Sequence, residues 1–141
     1  MGQQQLLLVI LVVIIVGIST ILAVNILGMG ADNANRDAVR QDLTSAASQV
    51  QPLWERPPIM KGACRDFTTL SNCSILYRLN IPGELATDST EIKNRNGTYT
   101  VNVQDASTLS IIGTPQTGGS NLEITVSRDE ETSQWTFNIQ E

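Results

Sequence analysis

Two cysteines are the most reactive side chains in this 141-residue sequence, and they stand close together. Cys64 and Cys73 enclose the segment CRDFTTLSNC. Outside the cytosol two cysteines at this spacing are usually joined, and loop closure then stabilises the fold by about 2–3 kcal/mol. A metal or redox pair is the alternative, but the chain has no other cysteine, no histidine and no Cys-x-x-Cys spacing. The sequence therefore predicts a Cys64–Cys73 disulfide.

The other ionisable side chains do not form a catalytic or metal-binding pattern. Asp129, Glu130 and Glu131 are adjacent, but they fall in a predicted turn, where a solvated loop is the simpler interpretation than a metal site. The absence of histidine removes the commonest general base. There is also no nucleophile elbow and no phosphate-binding glycine loop. We expect a protein that is not an enzyme, with no catalytic residues, cofactor or metal.

The element that must organise these residues is an apolar run at the start of the chain. Leu6 to Val24 reads LLLVILVVIIVGISTILAV, and no charged side chain occurs before Asp32. At ~1.5 Å rise per residue this run makes a helix of roughly 28 Å, which matches the hydrocarbon thickness of a bilayer. Because no basic residue precedes it and it is long, a cleaved signal peptide is a poor interpretation. A helix that is apolar on every face needs lipid or other helices around it.

Length and charge constrain the part of the chain beyond the apolar run. The roughly 110 residues beyond Asp32 suffice for one modest domain, and the net charge of −5 is carried entirely by that part. An acidic balance argues against nucleic acid as the main partner. Asn72 and Asn96 begin Asn-x-Ser/Thr sequons, which matter only if the organism glycosylates them. We expect this polar part to lie outside the cell.

A second helical pattern continues the first. Gly28 and Gly30 each cost a helix about 1 kcal/mol relative to alanine, so we expect a soft spot there, where the helix bends or unwinds. Beyond it an apolar stripe recurs at spacings of three and four, and Pro57-Pro58 ends it. The stripe consists of Val39, Leu43, Ala46, Ala47, Val50 and Trp54.

The C-terminal third alternates with period two. Four strands are predicted around Tyr99–Val103, Leu109–Ile111, Leu122–Val126 and Trp135–Ile139, and the turns between them are short. Ser74–Leu79 is a further candidate for a short strand. The meander needs an apolar cover, which the helical stripe supplies, and Trp54, Trp135 and Phe137 are expected in that core.

These elements predict an α+β fold. A long N-terminal helix, apolar in its first half and amphipathic in its second, packs on a four-stranded antiparallel meander. The expected organisation is an apolar helix with its soft glycine segment over 1–31, then the amphipathic helix and the β-sheet domain over 32–141.

This architecture resembles a type IV pilin. The likeness in architecture covers essentially the whole chain, whereas the likeness in motif is confined to the first thirty residues. The residues that carry it are Met1-Gly2-Gln3-Gln4-Gln5-Leu6-Leu7-Leu8, followed by Ile14-Ile15-Val16-Gly17-Ile18. They are similar to the start of short bacterial pilin-like proteins.

The resemblance implies a subunit held in the inner membrane, extracted by an assembly machinery and stacked with identical subunits into an extracellular helical filament. The apolar helices would then bury one another in the filament core, and the Gly28–Gly30 segment would match the place where pilin helices often melt. The side chains implied in that core are Leu6, Leu7, Leu8, Ile10, Leu11, Ile14, Ile15, Gly17, Ile18 and Leu22.

Two features depart from the pilin pattern. No basic leader is visible, so Met1-Gly2 is a two-residue leader, or the protein is used uncleaved, or the chain is already mature. Most pilins also carry a glutamate near the mature N-terminus that pairs with a neighbour's α-amino group. If Met1 provides that amino group, the counterpart is Gln5, which is neutral. A minor pilin or pseudopilin, or a single-pass membrane-anchored extracellular β domain, therefore stays open as an alternative.

Overall fold

The computed structural model describes residues 2–85 and 90–140, and it shows an α+β protein. The helical part comprises α1 (Gly2–Glu55), two single 3-10 turns (Pro58–Met60 and Phe67–Thr69) and α2 (Asn72–Arg78). The strands are β1 (Glu84–Leu85), β2 (Glu91–Lys93), β3 (Gly97–Val103), β4 (Thr108–Pro115), β5 (Leu122–Arg128) and β6 (Trp135–Gln140). By its contacts the chain divides into two compact units, Met1–Ala34 and Asn35–Glu141.

The first unit is the apolar part of α1. It contains an 18-residue window with a mean hydropathy of 3.3, long and apolar enough by length and composition to cross a membrane. Gly28 and Gly30 are helical like their neighbours, with open space where a side chain would stand. The expected unwinding at these glycines is therefore not seen, because a single glycine costs a helix only about 1 kcal/mol relative to alanine.

The second unit contains one antiparallel sheet in the order β1-β2-β3-β4-β5-β6. The four strands predicted from alternation are β3 to β6, and they form the predicted meander. The expected count of four is wrong, because β1 and β2 extend the sheet beyond β3. Their five residues are too few to show an alternating pattern, and only Ile92 among them is buried.

The amphipathic part of α1 covers one face of this sheet. All six residues of the predicted stripe are buried, together with Leu53. They pack with the inward side chains of β3, β4 and β5 in one core, which Tyr99, Ile111 and Ile124 exemplify. The helix approaches β4 closely at Gly113, where an added Cβ would lie 2.7 Å from Cγ1 of Val39. The missing side chain at Gly113 thus leaves the room that the Val39 and Leu43 side chains of α1 occupy.

Two expectations for single segments are wrong. Ser74–Leu79 is not a strand: residues Asn72–Arg78 form α2, whose first turn is capped by the Ser71 hydroxyl accepting from the Ser74 amide at 3.3 Å. Phe137 is not core, since it is 48% exposed on β6, the last strand of the sheet, which has no neighbouring strand on its outer side. Trp54 is buried as predicted, and Trp135 is half-buried beside it.

The predicted disulfide is also absent from the structure. Cys64 and Cys73 are separate thiols, the first exposed and the second partly buried. Cys64 occupies a left-handed turn with φ of 52°, held by its amide donating to the Arg56 carbonyl at 3.1 Å. Cys73 lies in the first turn of α2. The two thiols thus belong to different local structures, and the structure holds both as free cysteines.

Candidate assembly surface

The strongest candidate for a functional surface is the apolar part of α1. Its large apolar side chains, from Leu6 to Met29, are between 48% and 72% exposed. They surround the helix on all sides, and none of the most apolar 18-residue window is buried. Ten residues from Leu6 to Leu22 are expected in the filament core. The nine of them other than Gly17 all belong to this exposed set. Such a surface is unstable in water, because each buried side chain of this size gains about 1.5–3 kcal/mol.

Two hydroxyl side chains of this segment form hydrogen bonds within the helix. The Ser19 hydroxyl donates to the Ile15 carbonyl, and the Thr20 hydroxyl donates to the Val16 carbonyl, each at 2.8 Å. Backbone groups in a helix are likewise paired internally, which is the condition for a segment surrounded by lipid or by apolar side chains. A side chain added at Gly17 would meet open space. Another helix can therefore approach the α1 backbone at this glycine.

The N-terminal contact expected from the pilin likeness involves two residues. Gln5 lies in the first turns of α1 and is exposed, so its amide is available to a group from outside the chain. Met1, which would supply the α-amino group, lies outside the described residues. The pairing of Met1 with Gln5 of a neighbouring copy therefore stays a prediction.

The second unit holds its part of α1 through a carboxylate hub at Asp42. Oδ2 of Asp42 accepts from the Tyr99 hydroxyl at 2.6 Å, from Nδ2 of Asn96 at 2.8 Å and from Nδ2 of Asn94 at 3.0 Å. Burial, and then the hydrogen bond to Asp42, raise the pKa of the Tyr99 phenol above its ordinary value. Three strong donors on one carboxylate fix the rotation of the helix on the sheet.

A second set of contacts fixes the end of α1. The Trp54 indole donates to the Ala106 carbonyl at 3.1 Å, and the Phe67 amide donates to the same oxygen at 3.0 Å. The Trp54 ring also meets Trp135 edge-on at 5.5 Å, with the Arg128 guanidinium 4.6 Å from its centroid. These hydrogen bonds attach the loop between β3 and β4 to the C-terminal end of α1.

Sequence reasoning missed the Asp42 hub. Asp42 lies outside the predicted apolar stripe, yet its side chain turns toward the sheet. It directly precedes Leu43 in the stripe, and this adjacency is the one local sign that its side chain borders the core. Its partners on and beside β3 are 52 to 57 residues away, so no local pattern could identify them.

The acidic turn at Asp129, Glu130 and Glu131 is exposed, as the solvated-loop interpretation predicts. Asp129 accepts from the amides of Thr132 at 2.9 Å and Glu131 at 2.8 Å, and these bonds lower the pKa of its carboxyl. Its hydrogen bonds shape the β5–β6 turn. Among the described residues there is no group of three or more His, Cys, Asp or Glu side chains arranged to hold a metal ion.

Comparisons with known proteins give no match to this chain, whether with family models, with curated proteins or with solved structures.

Proposed function

We propose that this protein is a structural subunit of an extracellular helical filament of the type IV pilus kind. One observation carries the proposal: the apolar part of α1 exposes large side chains on every face, while the same helix continues into a folded α+β unit. The first feature demands an apolar surround from outside the chain, and the second provides a polar unit for the outer surface of an assembly.

The energetics favour two successive surroundings for this helix. Lipid tails and the interior of a helix bundle are both dry and apolar, so moving the helix from one to the other changes little apolar exposure to water. A subunit can therefore wait in the inner membrane and then join a filament with modest net cost. Assembly machinery in the membrane would carry out this transfer.

The proposed assembly is a homo-oligomer with open helical symmetry. Identical subunits joined by head-to-tail contacts that do not close produce a fibre instead of a ring. In this arrangement Leu6, Ile10, Ile14 and their neighbours meet the same segment of other copies. The role is structural, with no catalytic residue, no cofactor and no nucleic-acid partner in the proposal.

A membrane-anchored domain that does not polymerise is the second candidate. The membrane-length apolar window in α1 supports it directly.

The neutral Gln5 also favours a minor pilin or pseudopilin over a major one, since an amide offers no charge to a neighbour's ammonium group.

Electron microscopy of material sheared from cells, combined with mass spectrometry, separates these candidates. A filament subunit gives thin, uniform fibres whose principal protein is this chain with peptides from Leu6–Leu22 retained. Detection of the chain only in the membrane fraction, with no fibres that contain it, would contradict the filament and support the anchored domain.

A further inference from the structure

Asn96 and Gly97 form the only Asn-Gly pair in the sequence, and they lie where the chain enters β3. In such a pair the backbone nitrogen of the glycine can attack the side-chain amide carbon of the asparagine. Glycine favours the attack because it has no Cβ to obstruct the approach. The attack closes a five-membered succinimide ring, which water opens to aspartate or isoaspartate. This pair is therefore a site at which the chain can modify itself.

The attacking nitrogen is held by Asn94. The Gly97 amide donates to Oδ1 of Asn94 at 2.9 Å, and the Asn96 amide donates to the same oxygen at 2.8 Å. Gly97 is buried, and a side chain added there would collide with the Thr114 carbonyl. The Gly97 nitrogen becomes a nucleophile only when it loses its proton. In the folded protein that proton is engaged in a hydrogen bond and shielded from water.

The leaving group is held by Asp42. Nδ2 of Asn96 donates to Oδ2 of Asp42 at 2.8 Å, and ring closure must break this bond because Nδ2 departs as ammonia. A carboxylate at this distance also opposes the negative charge that the attack develops on the side-chain oxygen of Asn96. The Asp42 hub thus disfavours the reaction both through a hydrogen bond and through its charge.

The peptide group between Asn96 and Gly97 is bonded at both ends. Its carbonyl accepts from Nδ2 of Asn35 at 2.9 Å and from the Gln116 amide at 2.9 Å, while its N–H donates to Asn94. Asn35 belongs to α1, and Gln116 directly follows β4. Rotation of this peptide group toward the Asn96 side chain would therefore break contacts that join the helix, the turn and the sheet.

We propose that Asn96 is a site of spontaneous deamidation, and that the Asp42 hub prevents the reaction as long as the hub is intact. When the hub opens, a bond forms between the Gly97 nitrogen and Cγ of Asn96, and the bond from Cγ to Nδ2 breaks. The Gly97 amide proton leaves with Nδ2 as ammonia. Water then adds across one imide bond of the ring, and no other reactant is consumed.

The product cannot rebuild the hub. An aspartate at this position has no N–H to donate, and it sets a second carboxylate where Nδ2 lay 2.8 Å from Asp42. An isoaspartate instead lengthens the backbone by one carbon just before β3. Opening of the hub is thereby converted into a permanent change. This inference goes beyond the proposed function, because it rests wholly on residues 35–141.

Mass spectrometry of the full-length protein in detergent tests the site. Folded protein and protein in denaturant are incubated at mildly alkaline pH, digested and analysed for the peptide that contains Asn96. The folded sample should convert about a hundredfold more slowly than the denatured one, because the hub must first open. Isoaspartate in the product identifies the succinimide route, since direct hydrolysis of the amide yields aspartate alone.

Substitutions at Asp42 isolate the role of the hub. Asp42→Ala releases Nδ2 of Asn96 and should raise the rate of conversion in the folded state by about tenfold or more. Asp42→Asn keeps an acceptor oxygen and should raise the rate less; this variant carries the test if Asp42→Ala does not fold.

Leu109→Ala is the matched control. It opens a cavity in the same core, but Leu109 pairs with Val103, at the other end of β3 from Gly97. Under conditions in which unfolding curves show both proteins folded, its rate of conversion should stay close to the parent's.

Three outcomes would each overturn the proposal: equal rates in the folded and denatured parent, a rate that both Asp42 variants leave unchanged, or a Leu109→Ala rate as high as that of Asp42→Ala. Asn96→Asp reproduces one product and should lower the denaturant midpoint, whereas a midpoint equal to the parent's would contradict the loss of the hub. None of these results depends on whether fibres form.

Discussion

The two units of this chain use apolar residues in opposite ways. In the first, the large side chains from Leu6 to Met29 are 48–72% exposed and surround the helix. In the second, the stripe from Val39 to Trp54 belongs to the same α1 yet is buried against a sheet. The difference follows from pattern: a helix that is apolar on one face finds its partner within the chain, and one that is apolar on every face must find it outside.

Polar side chains show the same contrast. In the first unit Ser19 and Thr20 bond to carbonyls four residues away on their own helix. In the second, Asp42 bonds to side chains 52 to 57 residues away. These two hydroxyls of the first unit find their acceptors on the same helix, whereas the second unit is stabilised by tertiary contacts. Substitutions in the two units should therefore have different consequences.

The largest expected effect comes from a charge in the first unit. Ile15→Asp places a carboxylate near the centre of the apolar run, at a cost of about 2.5–3.5 kcal/mol in a membrane environment. We expect the yield of sheared fibres to fall by about a hundredfold.

Two controls define that effect. Ile15→Leu keeps the apolar surface and should keep the fibres, and Gln49→Asp adds the same charge at an exposed position of the second unit and should do likewise. Fibres from Ile15→Asp at the parent's yield would show that this surface is not the assembly core.

The next effect concerns the hub of the second unit. Asp42→Ala leaves the Tyr99 hydroxyl and two asparagine amides without their acceptor, and we expect a loss of about 2–4 kcal/mol in the free energy of unfolding. Denaturant titration in detergent, followed by tryptophan fluorescence, reports it, because both tryptophans lie in the second unit.

Asp42→Asn is the matched variant, since it keeps an acceptor oxygen at the hub and should lose less than Asp42→Ala. Equal losses for the two variants, or none, would mean that the hub does not hold α1 on the sheet.

A pair of glycine substitutions contrasts the two units directly. Gly113→Ala puts a Cβ 2.7 Å from Val39 Cγ1 and should cost about 1–3 kcal/mol through overpacking. Gly28→Ala meets no atom within 4 Å and should instead favour the helix by about 1 kcal/mol. Tryptophan fluorescence should register the first change and not the second; an unchanged midpoint for Gly113→Ala would contradict the close helix–sheet contact.

The smallest effect is expected at the thiols. Because Cys64 and Cys73 are separate in the structure, a reductant should shift the free energy of unfolding by less than about 0.5 kcal/mol. Titration of the denatured chain with a thiol reagent should find two free thiols without reduction. A reductant-dependent loss of about 2–3 kcal/mol would restore the disulfide that the spacing predicts.

Patterns with a short period were predictable from the sequence. The apolar run was evident from its composition. The stripe from Val39 to Trp54 recurs every three or four residues and the strands β3 to β6 alternate every two, and the structure has all of these elements. The strand expected at Ser74–Leu79 was wrong, because the buried residues Ile75, Leu76 and Leu79 have the spacing of a helix face and the Ser71 hydroxyl caps the first turn.

Features that depend on distant contacts were not predictable. From the sequence alone Asp42 is indistinguishable from a surface acid, because its hydrogen-bond donors Tyr99 and Asn96 are distant in the chain. Phe137 reads as core because its strand alternates, but burial at a sheet edge depends on how far α1 extends over the sheet. Ile59 and Met60 carry no periodic signal, and their exposure follows from the hydrogen-bonded turn that presents them.

The most direct test is a helical reconstruction, by electron cryomicroscopy, of fibres that contain this chain. We predict a central bundle of parallel α1 helices, with Leu6 to Leu22 of each copy packed on the same residues of others and the sheets outside. A fibre core built from the sheets, with Leu6 to Leu22 facing solvent or missing, would contradict the claim that this apolar helix is the assembly surface.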